Sequence, residues 1–308
     1  MQLRPKFPVQ ERSRANGLAR RMPQSLAEIQ AETDAGHGDK PVVLPLSDPA
    51  YSARYSSKGA LLQELRKAFA HLAQERSVAM TRDAAVKGII WAHKTQQTRD
   101  TCWDHLHYRY FGGPHAPATA IANLFLAEVP EGLRSSVLYF HYALRDALVF
   151  DFVTQHLWSA FLSGRSSVSV ADMELFLRDR SKDHPEVDGW ATSTRKKLAH
   201  SILAALRDFG ALAGASKKWL GKPYVSQALA LYIATYGKQV GMTTREILDG
   251  PLPHLFFLDG VGMRGLLLSA ARTRNIEFTE SGSVVSLQLP WRTVDEYTAQ
   301  LGREDQEP

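Results

Sequence analysis

The sequence holds a single cysteine, Cys102, which excludes an internal disulfide framework and any multi-thiolate zinc site. It also lacks a long uninterrupted apolar run. The most membrane-like stretch, Val137 to Leu162, is broken by His141, Arg145, Asp146 and Asp151, and each charge at bilayer depth costs about 2.5 to 3.5 kcal/mol. A buried core helix is the expectation there, and no membrane partner. Met1 to Pro49 mixes charge with proline and has no apolar signal-type segment, so a cytoplasmic chain is expected. Signatures of the form G-x-S-x-G, H-E-x-x-H and G-x-x-x-x-G-K-[ST] are missing as well. Neither enzymatic chemistry nor a cofactor or metal is expected.

What is present is an ordinary globular mixture: 308 residues, 44% of them apolar and 22% charged, with a formal charge of +5. A mild basic excess favours polyanionic partners only where the charge is concentrated, so its distribution matters more than its sum.

The pattern along the chain is mainly helical. Residues 1–50 combine prolines with basic residues, among them Arg12, Arg14, Arg20 and Arg21, and read as a flexible or extended arm, with a short helix at Ser25 to Ala35. Ordered structure is expected from Ser57, where Leu61, Leu62, Leu65, Ala68, Phe69 and Leu72 share one side of a helix. Further helices are expected at Arg82 to Ala92, Gln96 to Tyr110, Ala118 to Glu128 and Leu133 to Ser163, the last bent near its middle. These make an N-terminal helical domain over 51–165. A second domain, 166–308, holds helices at Ser169 to Arg180, Thr192 to Phe209, Val225 to Tyr236 and Thr244 to Leu248. It ends in a β-hairpin where Ile276 to Glu280 and Ser283 to Leu289 alternate about Ser281-Gly282.

Charge concentrates in one place. Between Thr192 and Lys222 stand Arg195, Lys196, Lys197, Arg207, Lys217, Lys218 and Lys222, against the single acid Asp208. Leu198, Ile202, Leu206 and Phe209 form an apolar stripe, which leaves Arg195, Lys196, Lys197 and His200 toward solvent at the helix start. Cations there oppose the helix dipole, by about 0.3 to 1 kcal/mol each, whereas phosphate is favoured by the dipole and the free N–H groups together. Ser193 and Thr194 add hydroxyl or cap contacts. With Ser169 to Arg180 as a first helix and Lys217 to Val225 as a basic loop, the arrangement looks like a helix-turn-helix with a wing, although its linker of about eleven residues exceeds a tight turn. The plain alternative is a solvated amphipathic helix with a basic edge.

Two other motifs invite chemistry and do not support it. Gly260-Val261-Gly262-Met263-Arg264-Gly265 fits a dinucleotide fingerprint, with Glu280 twenty residues after its first glycine. The surrounding chain offers too few strands for a doubly wound sheet, so glycines feeding a helix and hairpin are expected; that helix and hairpin, with Arg264, Arg272 and Arg274, read as a second winged-helix fragment. His105 and His107, two residues apart, point to different sides of a helix and cannot readily share one ion.

The run from His184-Pro185-Glu186 to Trp190, with Ser193-Thr194-Arg195-Lys196-Lys197-Leu198 and Leu206-Arg207-Asp208-Phe209-Gly210, resembles the BrxA-like family of bacteriophage-exclusion (BREX) defence systems. Tyr55-Ser56-Ser57-Lys58 and the stretch from Gln97-Thr98-Arg99 to Arg109-Tyr110 fit more loosely, and the match spans about residues 50 to 240. The resemblance implies a small, helical, non-catalytic defence component that binds DNA beside methyltransferase, ATPase and phosphatase-like partners. The expected function is therefore double-stranded DNA binding within a phage-defence complex, with Arg195, Lys196, Lys197, Lys217, Lys218 and Lys222 on phosphates. The alternative is a protein-interaction scaffold, with the basic patch on an acidic partner and the aromatic helix Val137 to Leu162 in a subunit contact.

Overall fold

The computed structural model describes residues 50–112, 116–273, 276–282 and 284–304, all within one unit that spans Asp39–Pro308. Arg12, Arg14, Arg20, Arg21 and the short helix expected at Ser25 to Ala35 lie outside the described residues, as does Arg274.

The protein is mainly helical. The N-terminal half contains α1 (Leu62–Glu75), α2 (Val78–Val86), α3 (Gln96–Leu106), α4 (Ala118–Leu126), α5 (Glu131–Leu144), α6 (Ala147–Asp151) and α7 (Trp158–Leu162). α2 begins four residues before the expected position, because the Ser77 hydroxyl accepts from Met80 N–H and nucleates the first turn. Gly88, in the left-handed region, ends it before Trp91. The last turn of the helix expected at Gln96 to Tyr110 widens into a π-helix at His107–Phe111.

The long aromatic helix expected at Leu133 to Ser163 is broken once and bent once. Asp146 sits in extended backbone and its Oδ1 accepts from Leu148 N–H at 3.1 Å and Val149 N–H at 3.4 Å, which restarts the helix as α6. A π-helical stretch, Phe152–Leu157, then joins α6 to α7. From Val137 to Val153 the apolar side chains are buried, so this segment is the centre of the molecule, and the large apolar side chains become exposed only beyond it, at Phe161 and Leu162.

The C-terminal half follows as β1 (Ser167–Val168), α8 (Val170–Arg180), α9 (Thr192–Asp208), β2 (Leu212–Ala213), β3 (Lys218–Leu220), α10 (Gln227–Gln239), α11 (Thr244–Asp249), α12 (Pro251–His254), α13 (Gly260–Thr273), the hairpin β4 (Glu277–Ser281) and β5 (Val284–Gln288), and α14 (Val294–Glu304). The hairpin pairs Glu277 with Gln288 through Ser281 with Val284. α14 packs on α4 and α10. One continuous core runs from Tyr51 to Leu301, and it crosses the 165/166 boundary expected between domains.

The glycine motif takes a helical form. Gly260, Gly262 and Gly265 occupy the first turns of α13, where Asp259 Oδ1 accepts from Gly262 N–H at 2.7 Å, and helix and turn rather than a strand lead into them. The phosphate-cradling loop of a dinucleotide site is therefore not formed.

Candidate nucleic-acid interface

The basic residues are placed by a compact run of elements from β1 to β3. The three short strands make an antiparallel sheet in the order β1-β3-β2, in which Trp219 pairs with Ser167 on one side and Ala213 on the other. α8 and α9 stand between β1 and β2 in sequence and pack on each other. α8 starts from a reciprocal cap: Ser169 Oγ accepts from Asp172 N–H, and Asp172 Oδ2 accepts from Ser169 N–H at 2.8 Å. Its Met173, Phe176 and Leu177 are buried, as are Leu198, Ala199, Ile202, Leu203, Ala205 and Leu206 of α9. The buried face of α9 is thus broader than a single stripe.

The linker between α8 and α9 is long because it contains structure. A 3-10 turn at Pro185–Gly189 tucks Val187 into the core. Tyr51 fixes this turn from outside: its ring stacks on His184 with centroids 3.5 Å apart, its hydroxyl donates to Asp151 Oδ2 at 2.8 Å, and its backbone N–H donates to Glu186 Oε1. His184 Nδ1 lies 3.2 Å from the same carboxylate oxygen. These bonds and the neighbouring backbone hold the Glu186 carboxyl below its ordinary range despite its burial. None of these partners was identifiable as a set from sequence, because 133 residues separate Tyr51 from His184.

α9 itself begins without a cap. Ala191 offers no side-chain acceptor, and no acid occupies the first turn. Ser193, Lys196, Lys197 and His200 are exposed, and with Arg207 they line the solvent side of the whole helix. Among the described residues no salt bridge involves Lys196, Lys197, Lys217 or Lys222, whereas Arg207 is held by Asp208 at 2.6 Å. Thr194 and Arg195 are half-buried. Arg195 turns into a cleft of about 340 Å³ between α8 and α9, lined also by Arg178, Glu174, Asp188 and Thr192. Arg195 thus shares its cleft with two acids and a second arginine, whereas its two lysine neighbours are exposed.

The segment after α9 supplies the remaining cations. Gly210 lies in the left-handed region and turns the chain into β2. Gly214, at φ +87°, is required in the tip between β2 and β3, since a Cβ there would stand 2.2 Å from Lys217 O and 2.6 Å from the Trp219 ring. Lys218 folds back, its Nζ donating to Ala215 O at 3.0 Å, and braces the tip. Lys217 and Lys222 are exposed. Trp219, a lone aromatic on a strand too short to show a pattern in the sequence, stands exposed between them in the chain.

His105 and His107 have separate partners. His105 Nε2 lies 3.0 Å from Ser57 Oγ, and burial with nearby Arg109 and Lys58 pulls its pKa down to about 4. His107 stacks on Phe111. No helix among the described residues is long and apolar enough to cross a membrane.

No curated protein matches the chain. A family model described as BrxA matches residues 49–237, a range that begins beside Tyr51, contains both α9 and the β2–β3 tip, and ends in α10. With well over half of its length so matched, the chain belongs to the BrxA family of bacteriophage-exclusion (BREX) defence proteins.

Proposed function

We propose that this BREX-associated protein is a non-catalytic DNA-binding component of its defence complex. Under this reading the order helix, β1, α8, α9, β2, β3, with β3 central in the sheet, is a winged helix in which α9 enters the duplex groove and the β2–β3 tip is the wing. The observation that carries it is the surface from Ser193 to Lys222: four lysines free of acidic partners, on one helix face and the adjoining wing, beside an uncapped helix start. A phosphate there satisfies free N–H groups, offsets the dipole and neutralises the lysines at once.

Arg195 is half-buried and lines the cleft between α8 and α9, so the discriminating variant is Lys196→Glu with Lys197→Glu rather than one that includes Arg195. In a salt titration of duplex binding, the wild-type log affinity falls linearly with log salt, and the double variant binds weakly with a slope smaller by about two units. A folded double variant with unaltered affinity and slope removes the proposal.

A protein-interaction role has a separate surface in its favour. Phe161 and Leu162 are exposed at the end of α7, with Phe161 stacked on Phe257 at 5.4 Å. Leu162→Asp that severs a nuclease-resistant association with other defence subunits, while duplex binding stays intact, assigns that surface to subunit contact.

A further inference from the structure

All six tryptophans are described, and five are buried or half-buried; Trp219 alone is exposed, at 48%. Tryptophan is highly buried on average, so an indole kept in solvent on a strand of three residues contributes little to the sheet that carries it. The neighbouring Leu212 already fills the core side. The ring is nevertheless held in place. Its six-membered part rests against the glycine backbone at Gly214, and β3 is paired on both sides at Trp219 itself. Exposure alternates with cations through the segment: Lys217, Trp219, Lys222 and Tyr224 are outward, and no acid occurs between Phe209 and Val225.

A rigid aromatic plate flanked in the chain by unpaired lysines offers what an unpaired base requires: a π-face to stack on, with cations for the adjoining phosphates. A base inside continuous duplex has both faces covered and cannot use the plate without unstacking. The absence of acids and the four free lysines favour a polyanion over a protein segment as the occupant. We infer that the wing takes an unpaired DNA base on Trp219, with Lys217 and Lys222 on the flanking phosphates, so that the preferred ligand is duplex interrupted by a single-stranded gap or a splayed end. The inference rests on the DNA-binding reading above and adds the ligand's form to it.

Fluorescence anisotropy with three labelled DNAs of equal length, an intact duplex, the same duplex with a short single-stranded gap, and a single strand, tests it on the full chain. The wild type binds the gapped duplex about tenfold more tightly than the intact one, as stacking of one base provides. Trp219→Leu, which keeps an apolar cover over Gly214 but has no π-face, loses that preference. Trp219→Phe retains most of the preference, and its melting temperature shows that the wing is intact. The gapped DNA quenches wild-type tryptophan emission more than the intact duplex does, and Trp219→Phe loses the difference. Equal wild-type affinity for gapped and intact duplex, or a preference that survives in Trp219→Leu, overturns the inference. If duplex binding falls with Lys196→Glu and Lys197→Glu while no gap preference exists, the DNA-binding reading stands and only the stacking role fails. Absence of all DNA binding by the wild type removes both.

Discussion

Asp146 starts a helix and stands in the core at the same time. Its Oδ1 caps α6, and its Oδ2 accepts from Ser52 Oγ at 2.8 Å. Burial pushes its pKa up to about 6, while the Ser52 bond, the two backbone N–H groups and Arg109 act in the opposite sense. A folded-state pKa above the unfolded value means that the associated stability is complete below about pH 4 and is lost as pH rises through about 6. Asp146→Asn keeps an acceptor for the cap and carries no charge. Its unfolding free energy relative to wild type therefore rises from pH 4 to pH 8, by at most roughly 3 kcal/mol at one pKa unit per 1.36 kcal/mol. Urea melts at several pH values measure this, and a difference independent of pH contradicts it. His141 behaves in the reverse direction. Burial alone pulls it down to about 3, with Nε2 2.6 Å from the Tyr232 hydroxyl, so its stability is present above about pH 6.5 and is lost as pH falls toward 3. His141→Gln, which keeps a partner for Tyr232, loses less stability between pH 6.5 and 4 than the wild type does in the same melts. Both residues were visible in the sequence only as interruptions of an apolar run, since hydropathy records that a charge is out of place and not what surrounds it.

At the scale of elements, legibility followed length. α9 has seventeen residues, enough turns for Leu198, Ile202 and Leu206 to declare a buried face, and its limits fall within a residue of those expected. The five-residue strands of the hairpin alternate enough to be recognised. β1 to β3 have two or three residues each, too few for any period, and they exist because β3 pairs on both sides while Gly214 at the tip and Gly221 beside Gly210 at the open end admit close backbone approaches. The basic segment from Lys217 to Lys222 is legible only through its lysines. The anchor at Tyr51 was hidden for a different reason, being a contact between distant parts of the chain. It leads to a prediction about α9, because the turn it fixes runs directly into the helix start. Tyr51→Phe removes only the bond to Asp151 and costs about 1 kcal/mol of stability. Tyr51→Ala removes the stack on His184 as well, so amide hydrogen exchange accelerates over 184–191 and, under the proposed function, duplex affinity falls several-fold through a misplaced helix start. Unchanged exchange in that segment shows that the turn holds itself.

The whole molecule is larger than the part that declares its family. The matched range stops at residue 237, within α10, and α11 to α14 follow it. Those elements are not an independent appendage. Trp291, Val294, Tyr297 and Leu301 are all buried. The Tyr297 hydroxyl donates to Ala228 O at 2.9 Å, Asn123 Nδ2 donates to Asp295 O and Thr298 Oγ1, and the core is continuous through them. The sequence pattern pointed to an extension beyond Gly260 and to its hairpin, but not to α14, whose apolar residues cover α4 across some 170 positions of intervening chain. Burying a large side chain contributes about 1.5 to 3 kcal/mol, so deleting four of them and exposing what they cover removes most of the margin of a typical domain. A chain cut after residue 243 therefore melts far below the full-length protein or fails to give a cooperative transition by circular dichroism. Tyr297→Ala in the full chain gives a graded version of the same loss, about 3 to 5 kcal/mol by analogy with other buried aromatics. If the shortened chain melts within a few degrees of the full one, the last four helices and the hairpin form a separate domain, and the continuity of the core does not represent a cooperative unit.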